Sequence, residues 1–433
     1  MKKFYTASRV FFDGEFKENV YLGVENDRIS SIKLSPPKEN NCEIIDFGSF
    51  VIFPATVNTH NHSFQSFLRG RVDDKGLEDW LQVVYKISSN FDSDACKLAG
   101  MLNFAEMLKN GTTTVADFFY LNGKGNDNIQ ATIDAATNLG IRIDMGRAFI
   151  DAEWGGKSTI EDVDIAEKRY RELVVQNKNS ELVHIHPCPH SLYGASRSLI
   201  ELAAGLSEEY DVKWHMHLAD SYYSSEKIHA EFGSRSVELL DEWNILSSRF
   251  VGIHGMWLSE NEIRLLSNNK CCISHNPASN LFLGERILDI SSLMDNNICV
   301  AIGTDGSASN NSQNIFSDIR LVSLTQRLLH RNPKAIPIKT LINIITKNGG
   351  ALLDLPVGSL DKGQKADFIV INPKVFSLLP NSSLESNFIH SFSERSIEHV
   401  FCNGKQVVSN GKLLLIDEDE LIDEIDCFMK KIE

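Results

Sequence analysis

Two histidines stand two residues apart at the end of an apolar run, in the stretch NTHNHSFQSFLRGR at residues 58–71. Along an extended segment, side chains two positions apart point to the same face, so His60 and His62 are expected to face one way. Imidazole nitrogens bind zinc and other transition metals. A His-x-His pair alone is a weak signal, because two partly exposed imidazoles are the commoner explanation.

The remaining histidines strengthen the metal-site interpretation. Nine of the thirteen lie at or just past the carboxyl ends of apolar, β-rich runs, namely His60, His62, His184, His186, His190, His215, His217, His254 and His275. Active sites of β/α barrels are built at this end of the strands, from residues of several strands. We therefore expect a site here, although His184, His186 and His215 come early enough in their strands to be core or supporting histidines.

A carboxylate follows the last of these runs, in AIGTDGSASNN, where Asp305 is expected to point toward the gathered histidines. Three neutral imidazoles and one carboxylate suit zinc or ferrous iron and leave one coordination position for water. A buried carboxylate needs a basic partner, and a divalent cation would supply it. The alternative is a Gly-Thr-Asp-Gly turn that caps the following helix.

Eight apolar runs must position these residues, and they are FVIFPATVNTH, GTTTVADFF, IRIDMGRAF, ELVHIHPCP, VKWHMHLAD, RFVGIHGMW, KCCISHNPA and ICVAIGTDG. Amphipathic stretches at 94–109, 127–139, 161–176 and 196–210 predict helices between them. This alternation predicts an α/β fold, a (β/α)8 TIM-type barrel. A doubly wound open sheet is the alternative, but no Gly-x-Gly-x-x-Gly follows a strand to support it.

Both ends of the chain consist of short β segments with hairpin turns, such as Asp13-Gly14 and Asn403-Gly404. Neither end is long enough to bury a core alone. We therefore expect residues 1–53 and 351–433 to pair into one small β-sandwich domain, with a C-terminal helix, around a catalytic barrel at 54–350.

The composition narrows the class of protein. The net charge of −15, from 58 acidic and 43 basic residues, argues against a nucleic-acid or anionic-membrane surface. The chain has no apolar stretch of about 18 residues that could span a membrane, and its amino terminus lacks the apolar core of a signal peptide. Eight cysteines without a Cys-x-x-Cys pair predict reduced thiols. We expect a soluble, cytoplasmic protein.

Seven segments, in order, resemble the landmarks of the amidohydrolase superfamily: PATVNTHNHSFQSFLRG, HPCPHSLYGAS, WHMHLAD, GIHGMWLSENEI, SHNPASNLFLG, GTDGSASNN and VGSLDKGQKADFIVIN. The similarity covers nearly the whole chain. It is greatest to the branch of triazine hydrolases and purine, pterin and methylthioadenosine deaminases. The motifs are highly specific for the superfamily and weakly specific for substrate.

The resemblance implies four metal ligands, which are His60, His62, His217 and Asp305. The fourth strand run has no lysine of the kind that bridges two metals in binuclear relatives, which favours one divalent metal, zinc before iron. By the same resemblance, His254 contacts the attacking water, Asp305 accepts its proton, and His190 contacts a small-molecule substrate. A homo-oligomer is expected by analogy alone.

One position departs from the family pattern. The family usually has His-x-x-Glu, whereas here His217 is followed by Asp220, which is one methylene shorter. A catalytic group displaced by roughly 1 Å can cost about 100-fold in rate. We interpret Asp220 as the acid that protonates the leaving amine. The alternatives are a leaving group such as chloride, which needs little protonation, or weak catalysis.

Two residues bear on the substrate. The amide of Gln65 offers an acceptor and two donors, which suit the lactam edge of an oxidised purine or pterin, although a turn-stabilising role fits equally well. Trp80 could stack on a flat ring. Nucleoside deaminases of this branch follow Trp-Leu with a Trp-Pro-x-Glu stretch whose glutamate holds ribose, and DWLQVVYKISSNF has no such glutamate.

The sequence therefore predicts a mononuclear metal-dependent hydrolytic deaminase of a ribose-less N-heterocycle, an oxidised purine or a pterin-like ring, that releases ammonia. Metal-bound hydroxide, formed because the metal lowers the pKa of water toward about 7, would attack an amidine carbon. The alternatives are removal of chloride or an alkylamine from a triazine-like ring, a formiminoglutamate-type deiminase, and a non-catalytic metal-binding barrel.

Overall fold

The computed structural model describes residues 2–39 and 41–432. The strands among them are β1 (Lys2–Thr6), β2 (Arg9–Phe12), β3 (Glu15–Lys17), β4 (Tyr21–Glu25), β5 (Arg28–Lys33), β6 (Cys42–Asp46), β7 (Val51–Pro54), β8 (Thr56–Asn61), β9 (Thr112–Phe119), β10 (Arg142–Phe149), β11 (Val183–Pro189), β12 (Trp214–Leu218), β13 (Phe250–His254), β14 (Cys272–His275), β15 (Cys299–Ile302), β16 (Phe368–Ile371), β17 (Ile397–Cys402), β18 (Lys405–Ser409) and β19 (Lys412–Leu413).

The helices are α1 (Leu77–Ser88), α2 (Ser93–Lys109), α3 (Asp127–Leu139), α4 (Val163–Asn177), α5 (Arg197–Tyr210), α6 (Tyr222–Phe232), α7 (Ser236–Glu242), α8 (Glu260–Asn268), α9 (Pro277–Phe282), α10 (Ile290–Asp295), α11 (Ile315–His330), α12 (Ile338–Ile345), α13 (Lys347–Leu353), α14 (Leu384–His390) and α15 (Glu418–Ile432). The four helices predicted between strands correspond to α2, α3, α4 and α5. Within the described ranges, no helix is both long enough and apolar enough to cross a membrane.

Local sequence sets the ends of these helices. The Asp92 side chain accepts a hydrogen bond from the backbone N–H of Ala95 at 2.9 Å and caps the start of α2. Helix α3 ends at Gly140, whose φ of 74° lies in the left-handed region that a helix terminus favours for glycine. The helices therefore begin and end where the sequence changes from apolar periodicity to capping residues.

Eight parallel strands, β8 to β15, form the barrel in two four-stranded sheets, one of β8 to β11 and one of β12 to β15. Two seams join these sheets. Across the β11–β12 seam, the N–H of His217 donates to the carbonyl oxygen of His190 at 3.1 Å. Across the β15–β8 seam, the N–H of Asp305 donates to the carbonyl oxygen of His60 at 3.0 Å. The predicted (β/α)8 barrel is confirmed.

Both chain ends form the two sheets of a β-sandwich. A seven-stranded sheet, β19-β18-β17-β16-β7-β2-β3, and a four-stranded sheet, β5-β4-β1-β6, enclose a separate apolar core that includes Tyr5, Val10, Leu22, Ile52, Phe368 and Phe401. The predicted sandwich is confirmed, because β7 from the amino-terminal end pairs antiparallel with β16 from the carboxyl-terminal end. The domain boundaries given above stay a prediction.

A buried ion pair joins the sandwich to the barrel. The guanidinium group of Arg142, at the start of β10, is paired with the carboxylate of Asp367, which immediately precedes β16, and both side chains are 1% exposed. Arg142 also donates to the side-chain oxygen of Asn403 at 3.0 Å. The orientation of the sandwich on the barrel is thus fixed by charged groups that water does not reach.

Candidate active site

Four residues predicted as metal ligands converge at the carboxyl end of the barrel. His60 is in β8 and His62 follows it, His217 is in β12, and Asp305 lies just past β15. The ring centroids of His60 and His62 are 4.7 Å apart, and those of His60 and His217 are 5.1 Å apart. The Nε2 atoms of His60 and His62 each lie 3.5 Å from Oδ1 of Asp305. Ligand atoms of His60, His62 and Asp305 lie within 4.8 Å of one another, and those of His60, His217 and His254 do likewise, so His60 belongs to both groups.

Neighbouring backbone groups fix which nitrogen of each ring is available. Nδ1 of His62 lies 2.6 Å from the carbonyl oxygen of Phe118, and Nδ1 of His217 lies 2.9 Å from that of His190. A carbonyl can only accept, so both Nδ1 atoms donate and both Nε2 atoms keep a lone pair. Nε2 of His60 is buried and has no hydrogen-bond partner among the described residues. These nitrogens are the donor set that a divalent metal needs.

The charges in the cluster also suit a cation. Burial lowers the pKa of His60, lowers that of His62 to about 3, and holds that of His217 well below its usual range, so all three rings are neutral at pH 7. Burial opposes ionisation of Asp305, but the imidazoles of His60, His62 and His254 close to it keep the pKa of its carboxyl well below the ordinary value. Neutral imidazoles and an ionised carboxylate are the protonation states that bind zinc.

The backbone around Asp305 is strained. Asp305 has φ of 62° and His254 has φ of 74°, in the left-handed region that residues other than glycine rarely adopt. Gly303 packs directly on β8, since a Cβ atom there would lie 2.5 Å from the backbone nitrogen of His60. The Ser279 hydroxyl donates to Oδ2 of Asp305 at 2.7 Å. The loop after β15 is thus held so that the carboxylate faces the histidines.

His254 completes the ring of imidazoles. It ends β13, and its centroid lies 5.8 Å from that of His60 and 5.6 Å from that of His217. The amide nitrogens of Asn276 and Asn280 lie 3.2 and 3.1 Å from Nδ1 of His254. Two amides therefore orient the ring, and Nε2 is left for a reacting group.

Asp220 lies at the edge of this cluster and is half-buried. Its Oδ2 accepts a hydrogen bond from the Tyr193 hydroxyl at 2.8 Å, and its Oδ1 accepts one from the Ser224 hydroxyl. Burial and the Asp220 charge raise the pKa of Tyr193 well above its usual value, so the phenol stays protonated and donates. The shorter carboxylate is thus fixed by two side chains that were not predicted from the sequence.

The three predicted substrate-binding residues all line the cavity over the cluster. Gln65 is fully buried; its Nε2 donates to the Tyr120 hydroxyl at 3.1 Å, and its Oε1 has no hydrogen-bond partner in the part of the chain that the structure describes. His190 lies with Nδ1 at 2.9 Å from the Ser191 hydroxyl oxygen. The Trp80 indole N–H donates to the carbonyl oxygen of Ala308 at 2.9 Å, which fixes the ring in the cavity wall. Their roles toward a substrate stay predictions.

Two cavities meet above the cluster. The inner cavity, about 50 Å³, is lined by His62, Gln65, Leu77, Trp80, Leu81, Tyr85, Tyr120, His190, Tyr193, His217, Asp220, His254, Asn280, Leu283, Glu285, Asp305 and Ser309. The outer cavity, about 410 Å³, is lined by Leu77, Leu81, Gln82, Tyr85, Trp154, Tyr193, Tyr223, Ser224 and Lys227. They share four residues, so space continues outward from the cluster.

Sequence reasoning missed several residues of this site, chiefly Tyr85, Tyr120, Tyr193, Ser279 and Asn280. A usable signal existed for three of them. Tyr193 follows His190 within HSLYG, and Ser279 and Asn280 follow the seventh strand within SHNPASN. Helix α1 contributes Tyr85 from outside the strand-and-loop pattern, and only the tertiary structure brings it within 3.5 Å of His190.

The chain matches the model of the amidohydrolase family over residues 51–407. A protein of Methanobrevibacter smithii named 5′-deoxyadenosine deaminase is 32% identical over 413 residues, which cover 94% of this chain and 92% of the relative. A protein of Bacillus cereus strain G9842, named 5-methylthioadenosine/S-adenosylhomocysteine deaminase, is 32% identical over 427 residues, with 97% and 96% covered.

The fold is also similar to that of atrazine chlorohydrolase from Arthrobacter aurescens TC1, whose crystal structure is complexed with zinc. The TM-score is 0.93 at 24% sequence identity, and the match covers 99% of this chain and 100% of the other. Barrel, sandwich and their connection are therefore shared along the whole length.

Proposed function

Because this chain belongs to the amidohydrolase family, we propose that it is a hydrolytic deaminase of adenine nucleosides that carry a 5′ substituent. A hydrolase acting on a carbon–nitrogen bond, with a divalent metal, follows from the relatives and from the His/Asp cluster. This proposed nucleoside substrate differs from the ribose-less heterocycle predicted from the sequence. We propose the nucleoside because relatives aligned along nearly the whole chain are named for adenosine-type compounds.

The observation that carries the proposal is the continuity of the two cavities. The inner cavity, about 50 Å³, lies against the histidine and aspartate cluster, and the outer cavity adds about 410 Å³ through the shared residues Leu77, Leu81, Tyr85 and Tyr193. Ligand sites typically enclose about 300–1,000 Å³ and are mostly apolar with few polar groups. A nucleoside with a 5′ substituent would extend from the first cavity into the second.

Glu285 is the side chain we assign to the ribose. It lines the inner cavity, and the Trp257 indole donates to its Oε2 at 2.8 Å. One carboxylate oxygen is thereby held, which leaves Oε1 to accept from ribose hydroxyls. This glutamate comes from the segment after α9, and it would supply the carboxylate that is missing from the stretch after Trp80.

His60, His62, His217 and Asp305 would hold one divalent metal ion, and we propose zinc because the solved relative in fold contains it. When bound, the ion lowers the pKa of a water toward about 7 and polarises the substrate. Asp305, which stays ionised, accepts the proton of the attacking water. His254, oriented by two asparagines, hydrogen-bonds the water or the oxygen that it becomes.

Departure of the amine needs an acid. Water adds to the amidine carbon C6, the carbon–nitrogen bond breaks, and the nitrogen leaves as ammonia after gaining a proton. Asp220 lines the same cavity, and Tyr193 and Ser224 fix its carboxyl group there. We assign the proton transfer to Asp220, since a positioned carboxyl group typically contributes about 10²–10⁴-fold.

A panel of substrates tests the proposal. The zinc-loaded protein would be incubated with 5′-deoxyadenosine, 5′-methylthioadenosine and S-adenosylhomocysteine, and in parallel with adenine, guanine, 8-oxoguanine and isoxanthopterin, and ammonia would be measured. We expect kcat/KM to be at least tenfold higher for the nucleosides. Glu285→Gln should lower kcat/KM for nucleosides alone, and Glu201→Gln on α5 serves as its surface control. No ammonia from any compound, with metal bound, contradicts deamination.

A free base is the second candidate, and one observation favours it. Among the side chains of α1 that the structure describes, those that line the cavities, Leu77, Trp80, Leu81, Gln82 and Tyr85, include no carboxylate for ribose. If the bases are turned over faster than the nucleosides and Glu285→Gln changes neither rate, this candidate replaces the first.

A further inference from the structure

A second group of metal-ligating side chains lies inside the barrel, away from the cavities. Asp144 in β10, His186 and Cys188 in β11, and His215 in β12 are all buried, at 4%, 2%, 0% and 1% exposure. His215 precedes His217 by two residues on the same strand, so its side chain points the same way about 7 Å deeper in the barrel. The catalytic mechanism uses none of these four residues.

The spacing of this group matches that of the site described above. Donor atoms of Asp144, His186 and His215 lie within 4.8 Å of one another, as do those of His60, His62 and Asp305. Nδ1 of His186 is 2.8 Å from Oδ1 of Asp144, and the rings of His186 and His215 are 4.1 Å apart. A zinc ion with ligands at about 2.0–2.3 Å needs donors roughly 3.3–3.8 Å apart, which small side-chain rotations supply.

Two further observations point to a ligand. Nε2 of His215 is buried and has no hydrogen-bond partner in the described chain. The Cys188 sulfur and Nε2 of His186 both pack against Gly146, since a Cβ atom there would lie 2.5 Å from the sulfur and 2.9 Å from the nitrogen, so a thiol lies beside the group as a fourth donor. A buried imidazole nitrogen without a partner is costly, and a bound cation removes that cost.

The position of the group in the fold gives the ion a structural role. β11 and β12 belong to different four-stranded sheets, and the cluster spans the seam between them. Asp144 and His186 are on one side of the seam and His215 is on the other. An ion held by all three would link the two halves of the barrel beneath the active site.

We propose that Asp144, His186 and His215, with Cys188 as a fourth ligand, bind a second transition-metal ion that ties β11 to β12. Imidazole, carboxylate and thiolate are all zinc ligands, and four of them would close the tetrahedral coordination that structural zinc sites have. The ion is distinct from the catalytic one and does not depend on which substrate the enzyme deaminates.

Cobalt distinguishes the two sites, because a thiolate ligand gives Co²⁺ a near-ultraviolet charge-transfer band and the catalytic cluster has no cysteine. The protein would be produced in cobalt-supplemented medium, so that the buried site loads during folding. We expect two cobalt ions per chain by elemental analysis, together with the band. His62→Ala combined with Asp305→Ala should remove one ion and keep the band.

Variants of the buried group complete the test. Cys188→Ser should abolish the band, and His215→Gln should leave one ion per chain without it, whereas Cys96→Ser, another fully buried cysteine, should change neither. One ion per chain and no band in the unmutated protein would overturn the proposal and leave a plain Asp144–His186 ion pair. A second ion that persists in both Cys188→Ser and His215→Gln would also overturn it. The unmutated protein decides the matter even if a variant fails to fold.

Discussion

Replacing Tyr193 by phenylalanine tests how this chain uses an aspartate where its family usually has a glutamate. The change removes one hydroxyl that donates to Oδ2 of Asp220 at 2.8 Å and leaves the aromatic ring in the cavity wall. Ser224 remains as the other donor to the carboxylate. The variant therefore removes one of the two hydrogen bonds that position the Asp220 carboxyl group, while the carboxyl group itself remains.

The size of the effect follows from that single contact. A hydrogen bond to a charged group contributes about 1.5–3 kcal/mol, and about 1.4 kcal/mol corresponds to tenfold in rate. We expect kcat to fall by about 10–100-fold in Tyr193→Phe. Asp220→Asn should cost about 10²–10⁴-fold.

Steady-state ammonia release would be measured for both single variants, the double variant and Tyr210→Phe, a control whose hydroxyl bonds Arg171 on the surface. If Tyr193 acts through Asp220, the double variant should be no slower than Asp220→Asn alone. Fully additive losses would show that Tyr193 acts on its own. An unchanged kcat in Tyr193→Phe would refute the positioning argument.

Three further outcomes are expected. Gly306→Ala should lower kcat/KM by about 10–100-fold, because the new Cβ would lie 2.0 Å from Oε1 of Gln65, whereas Gly205→Ala, with open space around it, should leave activity unchanged. Asp367→Asn should lower the free energy of unfolding by about 3–5 kcal/mol in urea titrations, since it leaves a buried arginine unpaired; a loss under 1 kcal/mol would contradict this. Burial lowers the pKa of His190 from 6.5 to about 3, so between these values the unfolded chain binds more protons and the metal-free protein loses stability as pH falls. His190→Gln should reduce that pH slope in urea titrations, and an unchanged slope would argue against the shift.

The barrel could be predicted because its signals are local. Each strand is a short apolar run, and each helix has its own periodicity and caps. Both kinds of element can therefore be predicted from nearby residues alone. The meeting of the histidines and Asp305 at one rim could be predicted for a related reason, since a parallel barrel brings all strand ends together and these residues follow those ends. Their role as metal ligands came from the family resemblance and stays a prediction. The sandwich needed only the argument that neither chain end could bury a core alone.

The substrate pocket could not be predicted in the same way. Tyr85 comes from α1, Tyr193 from a loop after β11, and Glu285 from the segment after α9, and the cavity exists where these elements meet. The lack of a glutamate after Trp80 in the sequence predicts a substrate without ribose. The carboxylate that we assign to the ribose, Glu285, comes instead from the segment after α9. The local sequence does not indicate which loops will meet in the folded chain.

The residue types and their order along the chain thus determined the barrel, the composite sandwich and the gathering of the candidate metal ligands at one rim, because repeating local patterns fix strand ends and strand ends fix the rim. Tertiary structure alone decided how Asp220 is held, how far the cavity extends, and that Asp144, His186 and His215 meet across a seam. Those features depend on distances between segments remote in sequence, which only the packing of the whole chain sets.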